Sequence, residues 1–217
     1  MRGLLLKDFH LMKVQKSFFI VILVVACIMS ISMDDPAFII GFLTSVVSLF
    51  TVSTISYDEF DNGYPFLLTL PFSRKTYVKE KYVYGLILGS CSCAISTIIA
   101  TVMMLWKDIP LTSDLYIVSL AMIPVVLLIE AIMIPLHIKF GSEKGRYALI
   151  GVIGTVVVLG LIIKKIIDIF HINVLPVISF ISSIGFMMFM FILILIALAF
   201  LFVSMQISIK IMYNKEF

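Results

Sequence analysis

The chain has 217 residues, 62% of them hydrophobic and only 13% charged, with a formal net charge of +3. That balance excludes a soluble domain with alternating apolar and polar faces, and it leaves no room for one beside the apolar runs. Runs of about 20 apolar residues recur, each long enough as a helix to cross a hydrocarbon core of about 30 Å. Only helices or closed barrels satisfy the backbone in lipid, and the dyad alternation of a barrel is absent. The expectation is an all-α membrane protein, one domain over residues 1–217 with six transmembrane helices.

Residues 1–16, MRGLLLKDFHLMKVQK, place Leu5, Phe9 and Met12 at helical spacing among Arg2, Lys7, Asp8, Lys13 and Lys16. The pattern predicts an N-terminal amphipathic interfacial helix with its basic groups at anionic headgroups. An ordinary basic flank is the alternative, and the apolar region and cleavage site of a signal peptide are missing. Spans follow at 17–33, which stops at Asp34-Asp35-Pro36, then at 37–56, 83–106 and 115–138. The last two are 147–163, with a helical extension to Phe170, and 179–208.

With both termini cytoplasmic, 13 of the 16 basic residues lie inside, and only Lys107, Lys164 and Lys165 lie outside. The positive-inside rule favours that orientation. It puts two polar segments, 57–82 and 139–146, in the cytoplasm.

The first of these reads YDEFDNGYPFLLTLPFSRKTYVKEKY. Asp58, Glu59 and Asp61 lead it. Pro65 suits the first position of a helix, where its missing N–H costs nothing. Pro71 ends that helix, because the residue before a proline avoids helical geometry. Between them Phe66, Leu67, Leu68 and Leu70 form an apolar knob too short to span a bilayer. Ser73 is placed to cap a helix carrying Arg74, Lys75, Lys79 and Lys81 into the third span. One reading is a solvated loop on the membrane surface; the functional one is a knob for a cleft on a cytoplasmic partner.

Glu130 stands near the middle of the fourth span, flanked by Pro124 and Pro135, which predict a kink near it. Intramembrane carboxylates face a bundle interior or a wet cavity. Glu130 is therefore a contact on a translocation path or a polar tie to a Ser, Thr or Tyr of another helix. Gly151, Gly154 and Gly160 permit close helix approach, or serve ordinary packing. Cys27, Cys91 and Cys93 read as small packing residues without metal spacing. His10, His137 and His171 are far apart in sequence and read as interface residues. GxxxxGK[ST], HExxH and GxSxG are all absent, so no catalytic residue, bound nucleotide or metal is expected in this chain. No nucleic-acid partner is expected either.

Three segments carry a family likeness: the opening LLLKDF, the 57–82 stretch with its LPFSR, and PLHIKFGSEKGRY between the fourth and fifth spans. Together they resemble type-two permease subunits of ATP-binding cassette (ABC) exporters, over nearly the whole chain. Pro65 and the Asn62-Gly63 turn are atypical of that pattern.

The resemblance implies a coupling helix between spans two and three, at Phe66 to Arg74. Glu59, Phe66, Leu67, Thr69, Leu70, Pro71 and Arg74 would couple it to a separate cytoplasmic ATP-binding subunit. Glu143, Lys144 and Arg146 would belong to the second cytoplasmic loop. ATP and Mg would sit on the partner subunit, with no cofactor in this chain. A second permease copy or paralogue would complete the path in a bacterial plasma membrane. The small permeases most similar in character export phenol-soluble modulins, which are amphipathic toxin peptides; related ones are associated with peptide-antibiotic immunity. Two rival readings remain beside it: a secondary transporter or channel using Glu130, and a membrane anchor or assembly protein without transport.

Overall fold

The computed structural model describes residues 1–32, 35–60, 63–110, 113–169 and 185–215. Every regular element among them is a helix. Helix α1 (Arg2–Val14) meets α2 (Lys16–Ser32) at a 61° bend. The mixed polar and apolar sequence of α1 thus leaves the axis of the apolar α2.

Helix α3 (Pro36–Ser48) starts with Pro36 in its first turn and Asp35 as N-cap, whose carboxylate accepts the Ala37 N–H at 2.9 Å. Both features suit a helix start, where the first N–H groups lack intrahelical partners. A short interruption at Leu49 separates α3 from α4 (Phe50–Glu59). Next come α5 (Gly63–Leu68) and α6 (Arg74–Trp106). Ser73 caps α6 as expected, its Oγ accepting the Thr76 N–H at 3.2 Å. Helix α7 (Ser113–Ile169) changes direction at Gly141, where φ is 75° and ψ −179°. Only glycine adopts that conformation cheaply. Helix α8 (Phe186–Asn214) closes the order.

Four of these runs are long and apolar enough to cross a membrane: Pro36–Glu59, Arg74–Trp106, Asp114–Gly141 and Phe186–Asn214. The bent α1–α2 pair makes a fifth if counted as one span. Met33, Asp34, Asp61, Asn62, Phe170, His171 and the expected start of the last span at 179–184 lie outside the described residues. So do the side chains of Leu68, Glu143 and Arg146 and the surroundings of Gly160.

Several expectations shift. Helix extends to Glu59 and resumes at Arg74, so much of the 57–82 segment is helical rather than loop. Helix α5 begins at Gly63, two residues before Pro65, and ends at Leu68, before Pro71 is reached. Pro65 still falls in the first turn, where a proline is tolerated. Pro124 and Pro135 both lie inside α7, and the backbone departs from helical φ/ψ at Gly141 instead. Among the described residues, no heavy atom approaches within 4 Å of a Cβ built on Gly151 or Gly154. Close contacts between spans occur on α6 instead: a Cβ on Gly89 would meet Val126 Cγ1 at 2.3 Å, and one on Gly85 would meet Glu130 Cδ at 2.6 Å. Small residues at i and i+4 let α6 and α7 approach where lipid offers no hydrophobic drive to association.

The largest core cluster joins α4 to α8: Ile55, Tyr64, Leu67, Tyr77, Tyr82, Leu127, Ile134, Ile138, Leu201 and Met212 are among its buried members. Tyr82 adds a polar tie, its hydroxyl sharing hydrogen bonds with Ser204 at 2.7 Å and Ser208 at 2.8 Å. Outward faces stay apolar. Phe191 and Phe202 of α8 are more than half exposed, as a lipid-facing helix requires.

Candidate functional site

A cluster of charged side chains joins α1, α4 and α6. Helix α6 presents Tyr77, Lys81, Tyr84 and Leu88 at intervals of three or four residues, all buried. Lys81 therefore stands inside an apolar stripe, and helix α1 supplies what it needs. Its ammonium lies 2.5 Å from Asp8 Oδ2 and 2.8 Å from Asp58 Oδ2, and it donates to Thr54 Oγ1 at 3.0 Å. Lys7 pairs with Asp58 and lies 3.2 Å from Asp8 Oδ1. The Tyr77 hydroxyl donates to Asp58 Oδ2 at 3.0 Å. Lys81 and Asp8 are both fully buried. Charges withdrawn from water persist only when paired and hydrogen-bonded, so this network fastens α1 to α4 and α6. Glu80, also fully buried, lies 3.9 Å from Lys81 Nζ.

Sequence reading counted Lys7 and Lys81 as flank charges and spread Asp8 around an interfacial helix. Their pairing and the burial of Lys81 with Asp8 were missed. A signal existed in the spacing of Lys81 with Tyr77, Tyr84 and Leu88 on one helix face.

Beside this network sits α5. Tyr64 and Leu67 turn into the core, whereas Phe66 is 75% and Leu70 45% exposed. Of the expected knob, then, Leu67 packs in the core, and Phe66 and Leu70 are exposed. Thr69 closes the segment, its hydroxyl donating to Phe66 O at 2.7 Å. Pro71 is exposed.

Arg74 turns toward the last helix. One terminal nitrogen donates to the carbonyls of Met212 at 3.0 Å, Tyr213 at 2.9 Å and Lys215 at 3.1 Å. Those carbonyls end α8 and have no intrahelical partner, and a cation there also complements the helix dipole. Glu59 lies 3.4 Å from Lys215 Nζ. It also packs where Gly141 has no side chain: a Cβ on Gly141 would meet Glu59 Oε1 at 2.6 Å. Lys215 donates to Ile138 O at 3.1 Å. Glu59, Arg74 and Lys215 thus tie the α4–α6 segment to the turn at Gly141 and to the end of α8. Lys144, beyond that turn, is exposed.

Glu130 is buried against Gly85, one helical turn along α6 from Lys81. Its Oε1 accepts the Ser48 hydroxyl at 2.9 Å, and its carboxylate fills the notch left by Gly85. That is the geometry of a tie between α3, α6 and α7. Among the described residues, no group of three or more His, Cys, Asp or Glu is arranged to hold a metal ion.

Residues 3–213 match the family model described as ABC-2 family transporter protein. No curated protein and no solved structure matches the chain.

Proposed function

We propose, from the premise that this chain belongs to the ABC-2 transporter family, that it is the permease of an exporter for amphipathic peptides or similarly greasy cargo. The family makes it a multi-pass membrane subunit of an ABC transporter, without an ATPase site of its own and working with a separate ATP-binding subunit. The finer reading has six spans, both termini in the cytoplasm and a bacterial plasma membrane as its site. ATP and Mg act on the partner, and a second permease copy or paralogue completes the path. Phenol-soluble modulins are the cargo class its character suggests.

One observation carries the coupling role. Helix α5 packs on α4, buries Tyr64 edge-on against Tyr77 of α6 and Leu67 within the same core cluster, and leaves Phe66 exposed. A short helix with one face anchored in the bundle and an apolar side chain free on the other can pass a push into the spans. Arg74 and Glu59 support the same reading, because they link that segment to α8 and to the Gly141 turn. Glu130, engaged by Ser48 and Gly85, gives no comparable support to ion coupling.

The test is reconstitution of the chain with its ATPase in proteoliposomes. Amphipathic peptides are expected to stimulate ATP hydrolysis and to accumulate on the side opposite the ATPase. Transport by the chain alone, driven by an ion gradient, would overturn the proposal.

A further inference from the structure

A crevice of about 570 Å³ lies between the α1–α2 elbow and α6. Leu43 and Val47 of α3 floor it, Ile20 and Leu23 of α2 form one wall, and Cys91 and Ile95 of α6 form the other. Its size falls within the roughly 300–1,000 Å³ of small-molecule sites. Apart from two lysines and two serines, its lining is apolar or thiol. Both serines are engaged: Ser92 donates to Gly89 O at 2.8 Å, and Ser96 pairs with Thr44 at 3.0 Å.

The lysines are Lys13 and Lys16, at the elbow. Both are exposed, and neither has an ion-pair partner among the described residues. The crevice runs along α6 from Ile87 to Ile99, where Ile99 packs against the α2–α3 cluster. At 1.5 Å per residue that stretch is about 18 Å, a little over half of a hydrocarbon core of about 30 Å. An apolar slot one leaflet deep, with two cations at its mouth, matches a single kind of occupant.

We infer that this crevice binds an anionic phospholipid, with an acyl chain between α2 and α6 and the headgroup phosphate between Lys13 and Lys16. The lysines select the charge, because cations near a membrane surface attract anionic lipid. The slot selects the position, because bundle packing leaves α2 and α6 apart there.

Native mass spectrometry of the full-length chain, purified with phosphatidylglycerol or phosphatidylcholine, tests this without any ATPase. The result therefore stands apart from the exporter reading. Two lysines predict retention of phosphatidylglycerol about thirtyfold over phosphatidylcholine. The Lys13→Gln/Lys16→Gln variant is expected to lose that preference, and Ile95→Trp, which fills the slot, to lose both lipids. A readout on the unaltered chain is alkylation of Cys91, which phosphatidylglycerol is expected to slow and phosphatidylcholine to leave unchanged. Equal retention of the two lipids, an undiminished preference in the lysine variant, or equal Cys91 alkylation overturns the inference. So does an Ile95→Trp chain that keeps its lipid and loses its dimer, which assigns the crevice to a second copy.

Discussion

Lys81 supplies one ammonium to two carboxylates, Asp8 at 2.5 Å and Asp58 at 2.8 Å, with no exposure to solvent. Lys7, partly exposed, is the other cation in contact with both. Removing Lys81 leaves Asp8 buried with a single partner at its rim. Truncating one partner of a buried pair costs about 3–5 kcal/mol, most of it the penalty of the charge left behind. Lys81→Met is therefore expected to destabilise the chain by about that much in equilibrium unfolding from detergent micelles. Asp8→Asn should cost less, because Asp58 retains Lys81. If Lys81→Met unfolds at the parent's denaturant midpoint, the network is hydrated and does not fasten α1. Hydropathy made the presence of these charges plain and hid their pairing. Asp8 and Lys81 are 73 residues apart, and each alone reads as a membrane flank.

Among the elements, α6 and α7 approach closely, and glycine permits it. An added methyl at Gly89 meets Val126 Cγ1 at 2.3 Å, and valine in a helix has little rotamer freedom to yield. Overpacking of this kind costs about 1–3 kcal/mol. Gly89→Ala is expected to lose that much in the same unfolding measurement, and Val126→Ala in the Gly89→Ala background to restore part of it. Gly151→Ala meets nothing within 4 Å among the described residues. It should be neutral or gain up to about 1 kcal/mol from helix propensity. Equal losses at both positions would mean that close approach is not what Gly89 serves. The helical membrane plan and the Ser73 cap were legible in the sequence, since each follows from local pattern. Which glycine faces a neighbour was not, because a small residue looks the same on a lipid-facing and a packed surface. The end of α5 was misplaced for a related reason. Pro71 sets the latest point at which a helix can stop, and core packing of Tyr64 and Leu67 ends it earlier.

At the scale of the whole molecule, the proposed coupling requires α5 to be rigid toward the bundle and open toward a partner. The two requirements fall on neighbouring residues. Leu67 is 8% exposed within the core cluster, whereas Phe66 is 75% exposed. Phe66→Asp therefore removes the outward apolar contact and leaves the core intact. It is expected to abolish co-purification of the ATPase while unfolding and helicity stay within the parent's range. Leu67→Asp buries a carboxylate beside Tyr64 and Tyr77, so it is expected to destabilise the chain itself, with loss of the ATPase as a consequence. Leu70→Asp, at 45% exposure, should behave like Phe66→Asp with a smaller effect. The contrast between the two neighbours separates a lost contact from a lost fold. If Phe66→Asp and Leu70→Asp both retain the ATPase on a stable chain, the partner grips elsewhere. The segment after Gly141, with Lys144 exposed, then becomes the surface to probe, because Glu59 already ties it to the base of α5.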